Sequence, residues 1–156
     1  MDYPEEIADD EPVCRVLKSP HFVKNSILRP SAFRPQVNTN KISVVRWLYR
    51  EQPDSVAKAT FKAIGNSGQN SYCGLAVLLL EDCKKIDVEL TDARDEYQGH
   101  AHIVFPYTVA ANEPLEGDNF VKQTEIARKL IEACEYVPDP DPQSEDWTID
   151  HPKLPR

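Results

Sequence analysis

Tyr72-Cys73-Gly74-Leu75-Ala76-Val77-Leu78-Leu79-Leu80 carries no charged residue and is apolar on both faces. A strand with one wet face alternates polar and apolar residues. A short run without alternation has both faces covered, which predicts a central strand and leaves a buried helix as the alternative. Upstream, Val13-Cys14-Arg15-Val16-Leu17 alternates around β-branched residues and reads as a first strand, and Lys41-Ile42-Ser43-Val44-Val45 as a second. Downstream, Ile86-Asp87-Val88-Glu89-Leu90 alternates as a strand with one solvated face, and Ala101-His102-Ile103-Val104-Phe105 is another, ended by Pro106.

Two helices complete the pattern. Pro53-Asp54-Ser55 opens one that runs to Ile64, with Ala57, Phe61 and Ile64 on one face and Gly65 placed to cap it. A second spans about 119–135, with Asp118 as N-cap and Val121, Ala127, Leu130, Ile131 and Cys134 as its apolar face. The mixed order predicts an α+β fold, with one small mixed or mostly antiparallel sheet and two main helices.

Around that body, residues 1–12 are acidic and flanked by prolines, which predicts a flexible arm. Residues 13–137 form the single α+β domain, a size that fits one core in a chain of 156 residues. Residues 138–156 read as an acidic, proline-rich tail, extended or disordered, with Trp147 and Ile149 as docking points. The irregular stretch 19–40 holds Pro20, Pro30 and Pro35, with Ile27-Leu28 and Ala32-Phe33 as apolar pairs that can pin it to the core.

Charge is distributed unevenly. The net charge is −8, yet residues 13–50 contain eight Lys and Arg residues and no Asp or Glu. One residue in six is acidic over the whole chain, so a carboxylate-free stretch of that length is unlike a random draw. Guanidinium groups offer a two-point fork to phosphate or carboxylate. Arg29, Arg34, Lys41, Arg46 and Arg50 are therefore the candidate anion-binding set. The alternative is pairing with the acids of the same chain. The expected partner is an anionic protein or a small phosphate ligand. Bulk DNA binding is not expected of so acidic a chain. No apolar run reaches the roughly 18–20 residues that span a bilayer, and the acidic start lacks a signal-like stretch, so a soluble cytoplasmic protein is expected. The sequence does not fix the oligomeric state.

Cys14, Cys73, Cys83 and Cys134 are isolated from one another, which predicts reduced structural thiols and not a metal or redox motif. Cys83, beside Lys84 and Lys85, is the one reactive candidate. On a strand, His100 and His102 point to the same face, where two imidazoles could meet a metal or a phosphate. A two-His site would need a third ligand from elsewhere, from His21, His151 or one of the many carboxylates. No metal centre and no cofactor are expected, and a solvent-facing or hydrogen-bonded pair at a strand start is the simpler reading. The spacing is similar to that of histidine-triad hydrolases, but the third alternate position is Val104.

Arg15, Ser43 and Glu89, on successive strands, resemble the Arg, Ser and Glu order of one class of ADP-ribosyltransferases. There Arg grips NAD phosphate, Ser supports the ribose and Glu steers the transfer. The resemblance implies a nucleotide- or NAD-handling enzyme with these residues, and His100 and His102 beside them, as catalytic candidates. Here Ile42-Ser43-Val44 replaces the usual Ser-Thr-Ser. Over about residues 14–45, the His21-Phe22, Ser31-Ala32-Phe33-Arg34-Pro35 and Ser43-Val44 segments resemble a group of small bacterial proteins without an assigned function, in which a Ser-x-Ala-Phe-x-Pro stretch recurs. That likeness implies a bacterial cytoplasmic origin and a segment that folds as a unit, and carries no activity. The accessory or interaction role expected of the chain rests on its basic stretch between acidic termini.

Overall fold

A computed structural model of the chain describes residues 3–50, 70–112, 117–144 and 146–155. The helix expected over 53–64, with its cap Gly65, lies outside the described residues. The main sheet has six strands. They are β1 (Pro12–Ser19), β4 (Lys41–Arg46), β5 (Ser71–Leu79), β6 (Glu89–Asp92), β7 (His100–Val104) and β8 (Glu135–Pro138). They lie in the order β6-β7-β4-β1-β5-β8, with every pair antiparallel. A small hairpin, β2 (Val23–Lys24) with β3 (Ile27–Leu28), sits beside it. Among the described residues there are two α-helices, a single-turn α1 (Leu80–Lys84) and the longer α2 (Asp118–Ala133). The architecture is α+β, as the element order predicted.

Strand parity sorts the core into two layers. Val13, Leu17, Ile42, Val44, Ala76, Leu78, Ala101 and Ile103 face the layer closed by Ile126, Ala127 and Leu130 of α2. The intervening residues Cys14, Val16, Val45, Leu75 and Val77 face a second layer with Trp47, Tyr72, Val137, Ile149 and Leu154. This double burial accounts for the missing alternation in β5, which is next to the centre of the sheet. The strand stops at Leu79 and the chain turns into α1, so Leu80 belongs to the helix.

Other boundaries differ from the expected ones. The first strand of the β6–β7 pair begins at Glu89 and not Ile86, because Lys85 and Ile86 still turn the chain off α1 through bonds back to Asp82 and Cys83. In α2, Gly117 is the N-cap and Asp118 the first helical residue, where its charge still suits the helix dipole. The buried face is Gln123, Ile126, Ala127 and Leu130, whereas Val121 points outward and is exposed.

Both terminal segments pack on the sheet, in contrast to the expected arm and tail. Tyr3, Ile7 and Glu11 recur at every fourth position and are all buried. Tyr3 stacks on Tyr49 with ring centroids 4.1 Å apart, and its hydroxyl accepts a bond from the Gly99 amide at 2.7 Å. At the other end, β8 adds an edge strand to β5, where a Cβ at Gly74 would stand 2.4 Å from the Val137 carbonyl oxygen. Asp139 then accepts from the Tyr72 hydroxyl, Trp147 meets Trp47 edge-on at 5.4 Å, and Trp47 Nε1 donates to the Pro155 carbonyl. The docking points expected at Trp147 and Ile149 are used within the chain itself. Composition misled here, since a few apolar anchors hold both acidic segments.

No helix among the described residues is long and apolar enough to cross a membrane. All four cysteines are free. Cys83 is buried, and burial pushes its thiol up to about 12, so its neighbouring lysines do not make it a nucleophile.

Candidate functional site

β1 and β4 pair through only two positions, Val13 with Arg46 and Cys14 with Val45, and beyond them no ladder joins the two strands. The opening is a cleft of about 690 Å³ lined from both strands, from both sheet layers and from the loop around Ser31 and Arg34. Arg15 bridges the gap. Its Nε donates to the Ala32 carbonyl at 2.8 Å and its Nη1 to the Ser43 carbonyl at 3.1 Å. One guanidinium thus replaces the strand hydrogen bonds that the divergence removes. Enclosure lowers its pKa to about 10, so it remains cationic at neutral pH.

The cleft is cationic. Arg15, Lys18, Arg34 and Lys41 line it, with Glu96 as the one carboxylate among the described lining residues. Arg15 and Lys18 both lie over the Phe22 ring at 4.9 Å, and Arg34 over Phe120 at 4.7 Å while donating to Thr124 Oγ1. Arg34 Nε is buried without a hydrogen-bond partner. His21, at the rim, is held below the usual imidazole range by burial and then by the Lys18, Arg29 and Arg15 charges, a direct mark of the positive potential.

The acid-free segment is not one anion surface. Arg34 and Lys41 reach the cleft, and Arg15 and Lys18 join them. Arg46 does not: it is fully buried, with Nε on Glu11 Oε2 and Nη1 on Asp92 Oδ2, both at 2.7 Å. Arg50 lies over the Trp47 ring at 3.9 Å and donates to the Trp47 carbonyl. Arg29 is exposed and donates to the Pro20 carbonyl. Residues 13–50 lack acids partly because their carboxylate partners come from elsewhere in the chain. Glu11 precedes the segment and Asp92 follows it by more than forty residues.

Of the enzyme candidates, Arg15, Ser43 and His102 line the same cleft although Arg15 starts from one sheet face and Ser43 and His102 from the other. Ser43 is paired directly with His102 across β4 and β7. Glu89 is elsewhere, exposed on the edge strand β6 and lining a separate shallow depression with Glu5, Glu6 and Asp92. The Arg, Ser and Glu convergence implied by the ADP-ribosyltransferase likeness is therefore not formed with Glu89. The carboxylate at the cleft is Glu96, which sequence order did not single out.

Glu96 comes from the turn between β6 and β7. That turn is closed by bonds from Ala93 to His100 and from Glu96 to Ala93, and by Gly99 at φ 83°. It folds Glu96 back over the two imidazoles that β7 presents. His100 Nδ1 lies 3.0 Å from Glu96 Oε2, and His102 Nε2 lies 3.7 Å from Glu96 Oε1. His100 is 1% exposed and its ring stacks on Tyr97 at 4.4 Å. Burial first, and then the His102 charge, pull its pKa down to about 4, so both its nitrogens belong to a neutral ring at pH 7. His102 is lowered as well, by burial and then by Lys41.

Set against family models, curated proteins and solved structures, the chain matches none. Its chemistry is carried by the cleft alone.

Proposed function

We propose that this chain binds a small phosphate-bearing anion, of nucleotide size, in the cleft between β1 and β4. The carrying observation is the convergence of Arg15, Lys18, Arg34 and Lys41 on one concavity, with a single carboxylate, in a protein whose net charge is −8. A cleft of about 690 Å³ falls inside the range of roughly 300–1,000 Å³ usual for small-molecule sites. The Phe22 and Phe120 rings give it apolar walls, and low-dielectric walls concentrate the field of the cations. A flat docking surface for an anionic protein has less support, because Arg46 and Arg50 turn inward.

Titration calorimetry with pyrophosphate, ADP and NAD, at low salt and with chelator present, tests this reading. Binding is expected to weaken as salt is added and to fall at least tenfold in a Lys18→Ala, Lys41→Ala double variant, which changes two side chains outside the core. A thermal shift should accompany it, since a ligand at 100 times its Kd adds about 2.7 kcal/mol of stability. Absence of binding across the panel, or binding indifferent to both the lysines and salt, would remove the proposal.

A further inference from the structure

We propose that Glu96, His100 and His102 form a binding site for a divalent first-row transition metal, zinc above all. The candidate ligand atoms of the three residues all lie within 4.8 Å of one another. Two imidazole nitrogens and one carboxylate oxygen are the donor set of catalytic zinc sites with an open fourth position. Zn–N and Zn–O bonds of about 2.0–2.2 Å in tetrahedral array put ligand atoms roughly 3.4 Å apart. Each carboxylate oxygen of Glu96 faces one imidazole near that spacing, Oε2 at 3.0 Å from His100 Nδ1 and Oε1 at 3.7 Å from His102 Nε2.

The independent observation is His100. Its ring is buried to 1% exposure, and neither nitrogen makes a well-aligned hydrogen bond, although the Ala93 backbone lies close to the ring. Nδ1 is close to Glu96 Oε2 but out of line for an N–H donor. A buried imidazole is normally satisfied at one nitrogen or both. A cation between the ring and the carboxylate would satisfy it. The His100 and His102 rings stand nearly perpendicular, at 78° with centroids 4.6 Å apart. Tyr97, stacked on His100, fixes that ring's orientation.

The position also defines what the metal would face. Glu96 and His102 line the cleft, whereas His100 stands behind them, so the open coordination position is directed into the cleft. The metal site does not depend on the anion-binding reading.

The test is zinc titration of the full chain after removal of metals by chelator, followed by calorimetry and by competition with a chromophoric chelator. One zinc per chain is expected. Glu96→Gln and His102→Ala should each weaken binding at least tenfold, and His151→Ala, at the separate His151–Glu135 pair, should leave it unchanged. Glu96 is 55% exposed on a turn, so its substitution leaves the core intact. Cobalt in place of zinc should give a visible spectrum stronger than that of the aqueous ion. Failure to take up stoichiometric zinc, equal uptake by the Glu96 and His102 variants and the parent, or an aqueous-like cobalt spectrum would each overturn the proposal. Pyrophosphate binding in chelator reports separately on the cleft cations.

Discussion

Glu11 and Arg46 meet in a two-point buried pair, Nε to Oε2 at 2.7 Å and Nη2 to Oε1 at 2.8 Å, with the side chains 4% and 0% exposed. Asp92 accepts from Nη1 of the same guanidinium, and backbone carbonyls at Pro4 and Glu6 take further bonds. This cluster is what fastens the N-terminal segment to the sheet.

Removing one member of a buried pair strands the other charge, at about 3–5 kcal/mol. Arg46→Ala should lose stability in that range by urea denaturation, because it leaves Glu11 uncompensated and Asp92 with Arg94 alone. Adding Glu11→Gln to it should return part of the loss. A single-variant change below about 1 kcal/mol, typical of exposed pairs, would contradict the burial described.

Asp92 sets a pH dependence. Burial by itself would raise its carboxyl, but hydrogen bonds from Arg94 and Arg46 overcome that and hold it below the ordinary value of 3.8. A depressed carboxyl stabilises the fold above its unfolded pKa, and the contribution disappears as pH falls through the lower, folded value. Asp92→Asn should therefore cost roughly 2 kcal/mol at pH 7. The gap between parent and variant should close in acid, below about pH 4. Denaturation midpoints measured from pH 7 down to pH 2 would settle whether the gap closes.

Arg15→Lys keeps the charge but cannot reach the Ala32 and Ser43 carbonyls together. Losing the bridge across the splayed strands should cost about 1–2 kcal/mol. Pyrophosphate affinity should fall as well, because the strands would be free to shift. Thermal denaturation together with calorimetry on the same sample checks both; unchanged stability would mean that the bridge does not hold the strands.

Gly99→Ala is expected to be far worse than an ordinary surface change. The residue is at φ 83°, and a Cβ there would lie 2.7 Å from the Tyr49 carbonyl oxygen. Side chains avoid that conformation at a cost of about 1–2 kcal/mol before the clash is counted. Since Gly99 immediately precedes His100, zinc affinity should drop with stability. A stable variant with unaltered zinc binding would show that the turn can reposition freely.

The strands were the legible part of this fold. Runs of β-branched residues found β1, β4 and β7, alternation found β6, and unbroken apolarity found β5. The edge strand β8 was not visible. Glu135 reads as the end of a helix, and only the pairing with β5 makes 135–138 a strand. Ile126 and Gln123 escaped notice because the apolar face of α2 is short and its buried glutamine donates to the Tyr107 carbonyl, a long-range contact with no local sign. The site was half legible. Arg15, Ser43 and His102 were singled out from their strands, and the structure places all three on one cleft. Glu96 reads only as one of an acidic cluster with Asp92 and Asp95, more like a solvated loop than a cation site, since its role depends on how a turn folds back. Arg46 failed as an anion site for the same reason. Its partners Glu11 and Asp92 are far away along the chain.

Because β8 supplies the outer edge of β5, the order of synthesis has a consequence. Until residues 135–138 leave the ribosome, a nine-residue apolar strand has one bare edge of amides and carbonyls. Such an edge can template a second copy of itself. Fragments cut off before residue 135 should clump where the chain that carries β8 does not, and β8 acts as the molecule's own stopper against that fate.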